Sequence, residues 1–106
     1  MKITEAFLDA KRTLGTKLWV VNVTPIYEYR DHRRTENVLG YRYETVLAER
    51  KMDKIGVDID GPALLDPPNG YYEVAFEGLE ARIAWKNGDY YIAAKATGVK
   101  VLKDNT

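Results

Sequence analysis

The dipeptide Asn87-Gly88, set between Leu79-Glu80-Ala81-Arg82-Ile83-Ala84-Trp85-Lys86 and Asp89-Tyr90-Tyr91-Ile92-Ala93-Ala94-Lys95-Ala96, constrains this chain more than any other feature. Asn-Gly accepts positive φ at both central positions of a type I′ turn, and the twist of that turn matches the strands it joins. A two-residue loop also fixes the register. Trp85 is expected opposite Tyr90, Ile83 opposite Ile92, Ala81 opposite Ala94 and Leu79 opposite Ala96, which gathers the large apolar residues on one face. That face reads as core. The other carries Glu80, Arg82, Ala84, Tyr91, Ala93 and Lys95, a wet surface that is part cationic and part aromatic.

Most of the remaining chain follows the same period of two. Tyr41, Tyr43, Thr45 and Leu47 share one face of a strand, Ile55, Val57 and Ile59 alternate against Gly56, Asp58 and Asp60, and Tyr72, Val74 and Phe76 point inward from another. Strands are expected over about 17–30, 40–50, 54–60, 71–77, 79–86 and 89–96. Val99 and Val101 continue the pattern before a terminus expected to fray. Asp31 to Leu39 reads as a polar loop with His32, Arg33 and Arg34 at its tip. Pro25 marks an edge or a bulge, Gly78 a sharp bend, and Pro62 to Gly70 a connector without regular structure whose Leu64 and Leu65 cap the core. The N-terminus differs in period. Phe7, Ala10 and Leu14 recur at helical spacing, Thr4 is placed to cap, Ile3 and Leu8 have the spacing of a staple, and Gly15 supplies a left-handed stop, so a helix is predicted over 4–14.

With 106 residues the chain makes one domain, 1–106, with a single core. Many short strands separated by turns predict a mainly β fold. The form expected is a small antiparallel β-barrel, OB-like, with a short N-terminal α-helix; an SH3-like barrel and a two-layer sandwich are the alternatives.

Residue usage removes whole classes of chemistry. The sequence has no Ser, no Gln, no Cys and a single His, so neither a Ser-His nor a Cys-His nucleophile pair can be assembled. No catalytic residue, metal ligand or cofactor is predicted. Asp58-Ile59-Asp60-Gly61 is a fragment of a calcium loop without its closing Glu, and Asp31-His32 lacks a nucleophile and a rigid support. Without cysteine or an apolar run long enough to span a bilayer, the chain is expected in the cytoplasm and away from membranes. Sixteen Lys and Arg balance sixteen Asp and Glu, so bulk charge supplies no attraction for nucleic acid and any binding must come from local patches.

One such patch is visible. The eight tyrosines fall in close pairs, and arginines accompany them. Tyr27, Tyr29, Arg33, Arg34, Tyr41, Arg42 and Tyr43 gather around the first hairpin, while Arg82, Tyr91 and Lys95 come from the wet face of the closing one. Rings interleaved with cations suit single-stranded nucleic acid, with bases stacking on tyrosine and phosphates meeting Arg or Lys. Tyr and Arg are equally the residues of protein interfaces. The chain therefore reads as a non-catalytic binding module whose partner is single-stranded DNA or another protein, with the oligomeric state open.

Arg34-Thr35-Glu36, Gly40-Tyr41-Arg42-Tyr43, Lys54-Ile55-Gly56-Val57, Phe76-Glu77-Gly78-Leu79 and Lys95-Ala96-Thr97-Gly98-Val99 together resemble segments of small accessory proteins encoded on conjugative elements and phages of Gram-positive bacteria. The resemblance spans most of residues 17–102 and brings no catalytic residue. It implies a setting among factors that handle DNA during transfer or replication of a mobile element.

Overall fold

The computed structural model describes residues 5–8 and 10–105, and in it the chain is almost wholly strand. β1 (Glu5–Leu8) and α1 (Ala10–Leu14) precede β2 (Leu18–Arg30), β3 (Arg33–Leu47), β4 (Asp53–Asp60), β5 (Tyr71–Glu77), β6 (Glu80–Lys86), β7 (Asp89–Lys95) and β8 (Gly98–Asn105). They form one eight-stranded sheet in the order β1-β6-β7-β4-β3-β2-β5-β8. All neighbours are antiparallel except β4 and β7, which run parallel through Val57 opposite Ala94 and Asp58 opposite Lys95.

Two units make this sheet, with β1 added along the flank of β6. The first is the meander β2-β3-β4. The second is a long bent ribbon in which β5 leads into β6 and β7 into β8. Gly78, at φ +60°, sits where the ribbon bends, and a Cβ there would lie 2.7 Å from the Thr97 hydroxyl. At the same bend the Thr97 N–H donates to the Glu77 carbonyl at 2.8 Å. Beyond it the two ends diverge: β5 joins the free flank of β2, while β7 joins that of β4. The sheet is consequently not closed into the expected barrel, because among the described residues no ladder links β1 at one end of the order to β8 at the other.

The closing hairpin adopts the expected register, with Trp85 opposite Tyr90, Ile83 opposite Ile92 and Ala81 opposite Ala94. Asn87 and Gly88 take φ of +53° and +85°. Its burial departs from expectation. Ala81, Ala94 and Ala96 enter the core, but the same face leaves the body of the protein toward the turn, so Trp85 is 49% exposed, Tyr90 67% and Ile92 38%. Alternation decides which residues share a face, not how far neighbouring strands cover it.

The predicted helix over 4–14 is corrected to α1 alone. Residues Glu5–Leu8 pair with Ala84–Ala81 of β6 instead. A helix of three turns is marginal by itself, whereas the open flank of β6 offers ladder hydrogen bonds to any extended segment that reaches it. The Thr4 cap and the Ile3 end of the staple lie outside the described residues. Gly15 does stop the helix, at φ +82°, and Leu14 is fully buried.

The polar loop expected over 31–39 is also corrected. β2 and β3 continue as an exposed arm to a two-residue turn at Asp31-His32, whose φ values of +50° and +64° are tolerated by Asp and His better than by most side chains. Lys51-Met52 makes the next turn, likewise at positive φ. Pro25 lies beyond Val20, where β2 has β3 as its only described strand neighbour, so its missing N–H is tolerated on an edge. β8 runs on to Asn105 by pairing along β5.

The core collects Leu14, Leu18, Val20, Val23, Tyr43, Leu47, Val57, Ile59, Val74, Ala81, Ala94 and Ala96, with Tyr41, Ile55, Leu65, Tyr72, Phe76, Leu79 and Val99 packed around it. The inward sets of β4 and β5 are those the alternation predicts. Among the described residues no helix is long and apolar enough to cross a membrane.

Candidate functional site

The sheet distributes the ten sequence-predicted residues over three places. Tyr27, Tyr29, Arg33 and Arg34 stand on the arm. Arg42, Arg82, Tyr91 and Lys95 converge from β3, β6 and β7 on one groove. Tyr41 and Tyr43 turn toward the core.

Tyr43 is corrected outright as a surface residue, because its exposure is 0%. It shares the inward phase of β3 with Thr45 and Leu47, meets Phe76 edge to face at 6.5 Å, and accepts a hydrogen bond from the Leu64 N–H at 2.9 Å. Its hydroxyl thereby pins the connector over the end of the core. Tyr41, two residues earlier in the same phase, is half-buried against that core.

On the arm, the Arg34 guanidinium lies 4.6 Å from the centre of the Tyr27 ring, a cation–π pair across the ladder. Tyr29 is 67% exposed. The register skips residues here, and Glu28 gathers the slack: its carbonyl accepts from the Thr35 hydroxyl at 2.8 Å, and its carboxylate from the Asn37 amide at 2.7 Å and from Arg30 Nε at 3.2 Å. Three acidic residues, Glu28, Asp31 and Glu36, offset Arg30, Arg33 and Arg34. The arm is an aromatic and guanidinium surface without net charge.

The groove exists because β4 and β7 touch only briefly. They pair at Val57–Ala94 and Asp58–Lys95, the Ala96 N–H adds a bond to the Asp58 carbonyl at 3.0 Å, and toward the other end the strands diverge. A cavity of about 440 Å³ opens in the fork, lined by Arg42, Gly56, Asp58, Asp60, Arg82, Tyr91 and Lys95. A second of about 520 Å³ continues it past Gly56, Tyr91 and Ile92 toward Ile55 and Leu47.

Arg42 is held by Asp58, its direct partner across β3 and β4, through Nε–Oδ1 at 2.7 Å and Nη2–Oδ2 at 3.0 Å. This forked bond raises the guanidinium's already high pKa, against a smaller opposing push from burial. Gly56 makes the geometry possible, since a Cβ there would lie 2.6 Å from Arg42 Cδ. Lys95 reaches Glu80 at 3.6 Å. The groove thus presents one half-exposed ring, Tyr91, among cations whose charge is largely shared with carboxylates.

Sequence reasoning missed three features. Asp58 as the partner of Arg42 becomes visible only once the β3–β4 register is known. Trp85, Tyr90 and Ile92 are exposed although their phase reads as core. The third is a clamp at Glu49-Arg50: one Glu49 oxygen accepts from the Thr16 N–H and hydroxyl and from the Lys17 N–H, while Arg50 donates to the carbonyls of Arg12 and Thr13 at the end of α1. The Thr16 N–H above all, then its hydroxyl and the Lys17 N–H, hold the Glu49 carboxyl below its ordinary pKa. Adjacent residues of opposite charge carry no periodic signal, so nothing in the sequence marks this pair as a cap.

Among the described residues no three His, Asp or Glu side chains come together as metal ligands. Comparison with family models, with curated proteins and with solved structures found no match to this chain.

Proposed function

We propose that the chain is a non-catalytic binding module with OB-like connectivity, which takes single-stranded DNA along the groove between β4 and β7 and the adjoining arm. The observation that carries this reading is the convergence of Arg42, Arg82, Lys95 and Tyr91 on one cavity from three different strands. Connectivity supports it. If each bent length of the ribbon counts as one strand, the order is β2, β3, β4, β7 with β8, then β5 with β6, joined back to β2, with β4 and β7 parallel. This order supports an OB-like reading, a five-stranded, partly open Greek-key arrangement in which the second and third strands and two hairpin loops would border the ligand face. Here those strands are β3 and β4, and those loops are Asp31-His32 and Asn87-Gly88. The resemblance to accessory proteins of conjugative elements and phages supports DNA, in single-stranded form, as the polymer.

The test is titration of a fluorescent oligo-dT with the protein at 50 and 200 mM salt. With roughly three phosphates neutralised, affinity is expected to fall about ten- to twentyfold between those salts. Tyr91→Ala is expected to weaken binding about fivefold or more through loss of base stacking, and Lys95→Ala to flatten the salt dependence. Absence of saturable binding at low salt, or full binding by Tyr91→Ala, removes the reading.

A second reading, a protein-interaction subunit, is favoured by a separate observation: two large exposed side chains, Trp85 and Tyr90, lie together at the hairpin end on the face opposite Tyr91.

A further inference from the structure

The face of the β6–β7 hairpin that carries Ala81, Ala94 and Ala96 into the core carries Ile83, Trp85, Tyr90 and Ile92 out of it. Trp85 and Tyr90, directly opposite one another, already form an edge-to-face pair with ring centres 5.4 Å apart at 61°. A stiff two-residue turn and a fixed ring pair make a preorganised apolar tongue, with little freedom left to lose on association.

We infer that this tongue is a self-association surface, at which a second copy of the chain packs the same face against it about a two-fold axis. Area supports a dimer of modest strength. At exposures of 49%, 67% and 38%, Trp85, Tyr90 and Ile92, with the edge of Ile83, offer on the order of 350 Å² per copy. Two copies then supply about 700 Å² of apolar surface, and an interface that is about 60% apolar would total roughly 1,150 Å², within the range of specific, exchangeable contacts. Charge supports a second copy over a charged partner. The chain is formally neutral, so copies do not repel, and Ile83, Trp85, Tyr90 and Ile92 bring no charge to the contact. Of these four residues Ile92 alone also borders the groove. Tyr91 and Arg82, on the other face of the same hairpin, stay outside the contact, so the dimer presents two grooves.

The full chain is tested by sedimentation velocity from about 1 μM to 1 mM, with no nucleic acid present. A monomer–dimer equilibrium is expected in that range. Trp85→Glu and, as a second variant at the same contact, Tyr90→Lys should each weaken it at least about thirtyfold, as loss of a central interface aromatic does. Leu102→Glu, on the exposed side of β8, should leave it unchanged. In a Trp19→Phe background the remaining Trp85 emission should shift to the blue as the dimer forms. A monomer throughout, or a dimer that survives both hairpin variants while their melting remains cooperative, overturns the inference.

Discussion

A single hydrogen atom in place of a side chain decides how closely β3 and β4 approach. A Cβ on Gly40 would lie 2.5 Å from the Ile59 carbonyl oxygen and 2.9 Å from Asp60 Cα, both backbone atoms that cannot swing away. Gly40→Ala is expected to cost about 2–3 kcal/mol, read as a lower denaturation midpoint, because the strands must separate at their tightest point. Gly88 is the contrast. A Cβ there meets nothing within 4 Å, and its need for glycine is conformational, through φ of +85°. At Tyr43 the same scale of argument concerns one oxygen. Tyr43→Phe keeps the ring in the core but leaves the Leu64 N–H without its acceptor, an expected loss of about 1 kcal/mol. Amide exchange at Leu64 should rise sharply in that variant while exchange along β3 scarcely changes.

Among the elements, α1 depends most on what lies outside it. At five residues it has no stability of its own, and its C-terminal carbonyls and the following N–H groups are met from the β3–β4 turn by Arg50 and Glu49. The lowered carboxyl pKa gives this clamp a pH signature. A carboxyl whose folded pKa lies below its unfolded one adds stability above the unfolded value, and that stability fades as pH falls through the folded one. Glu49→Gln should therefore melt below the parent at neutral pH, and the gap should close as the titration is carried into acid, where both side chains are neutral.

Periodicity made the closing hairpin legible to the residue, because Asn-Gly leaves one register open and the alternation on either side agrees with it. The inward phases of β4 and β5 were legible for the same reason. The arm was not, since a ribbon with solvent on both faces needs no alternation, and Asp-His announces a turn less plainly than Asn-Gly. Glu5–Leu8 misled because a stretch of four residues fits a helix or a strand, and the open flank of β6 that settled the matter is seventy-odd positions away in the chain. Within the candidate site, the wet face of the hairpin correctly grouped Arg82, Tyr91 and Lys95, but Tyr41 and Tyr43 were proposed as ligand contacts against their own inward phase. The fork between β4 and β7 depends on where two distant strands part, which no local pattern encodes.

Over the whole molecule, stability should be uneven. β3 is flanked by β2 and β4, and its Tyr43–Leu47 segment lies in the core, whereas the arm from Tyr27 to Val38 stands in solvent with one described neighbour for each strand. Hydrogen exchange measured along the chain should leave Tyr43, Thr45 and Leu47 protected longest and the outer arm exchanging orders of magnitude sooner, since such segments open without global unfolding. A flat profile across the meander would contradict this ordering.

The bent ribbon meets the meander along two separate seams, Leu18–Val20 against Tyr72–Val74 and Val57–Asp58 against Ala94–Lys95, while the connector over 61–70 belongs to neither. The connector is thus a leash between two interlocked pieces. A nick within it would divide the chain into a meander and a clasp, with the clasp still gripping the meander from both sides, like a buckle whose strap has been cut.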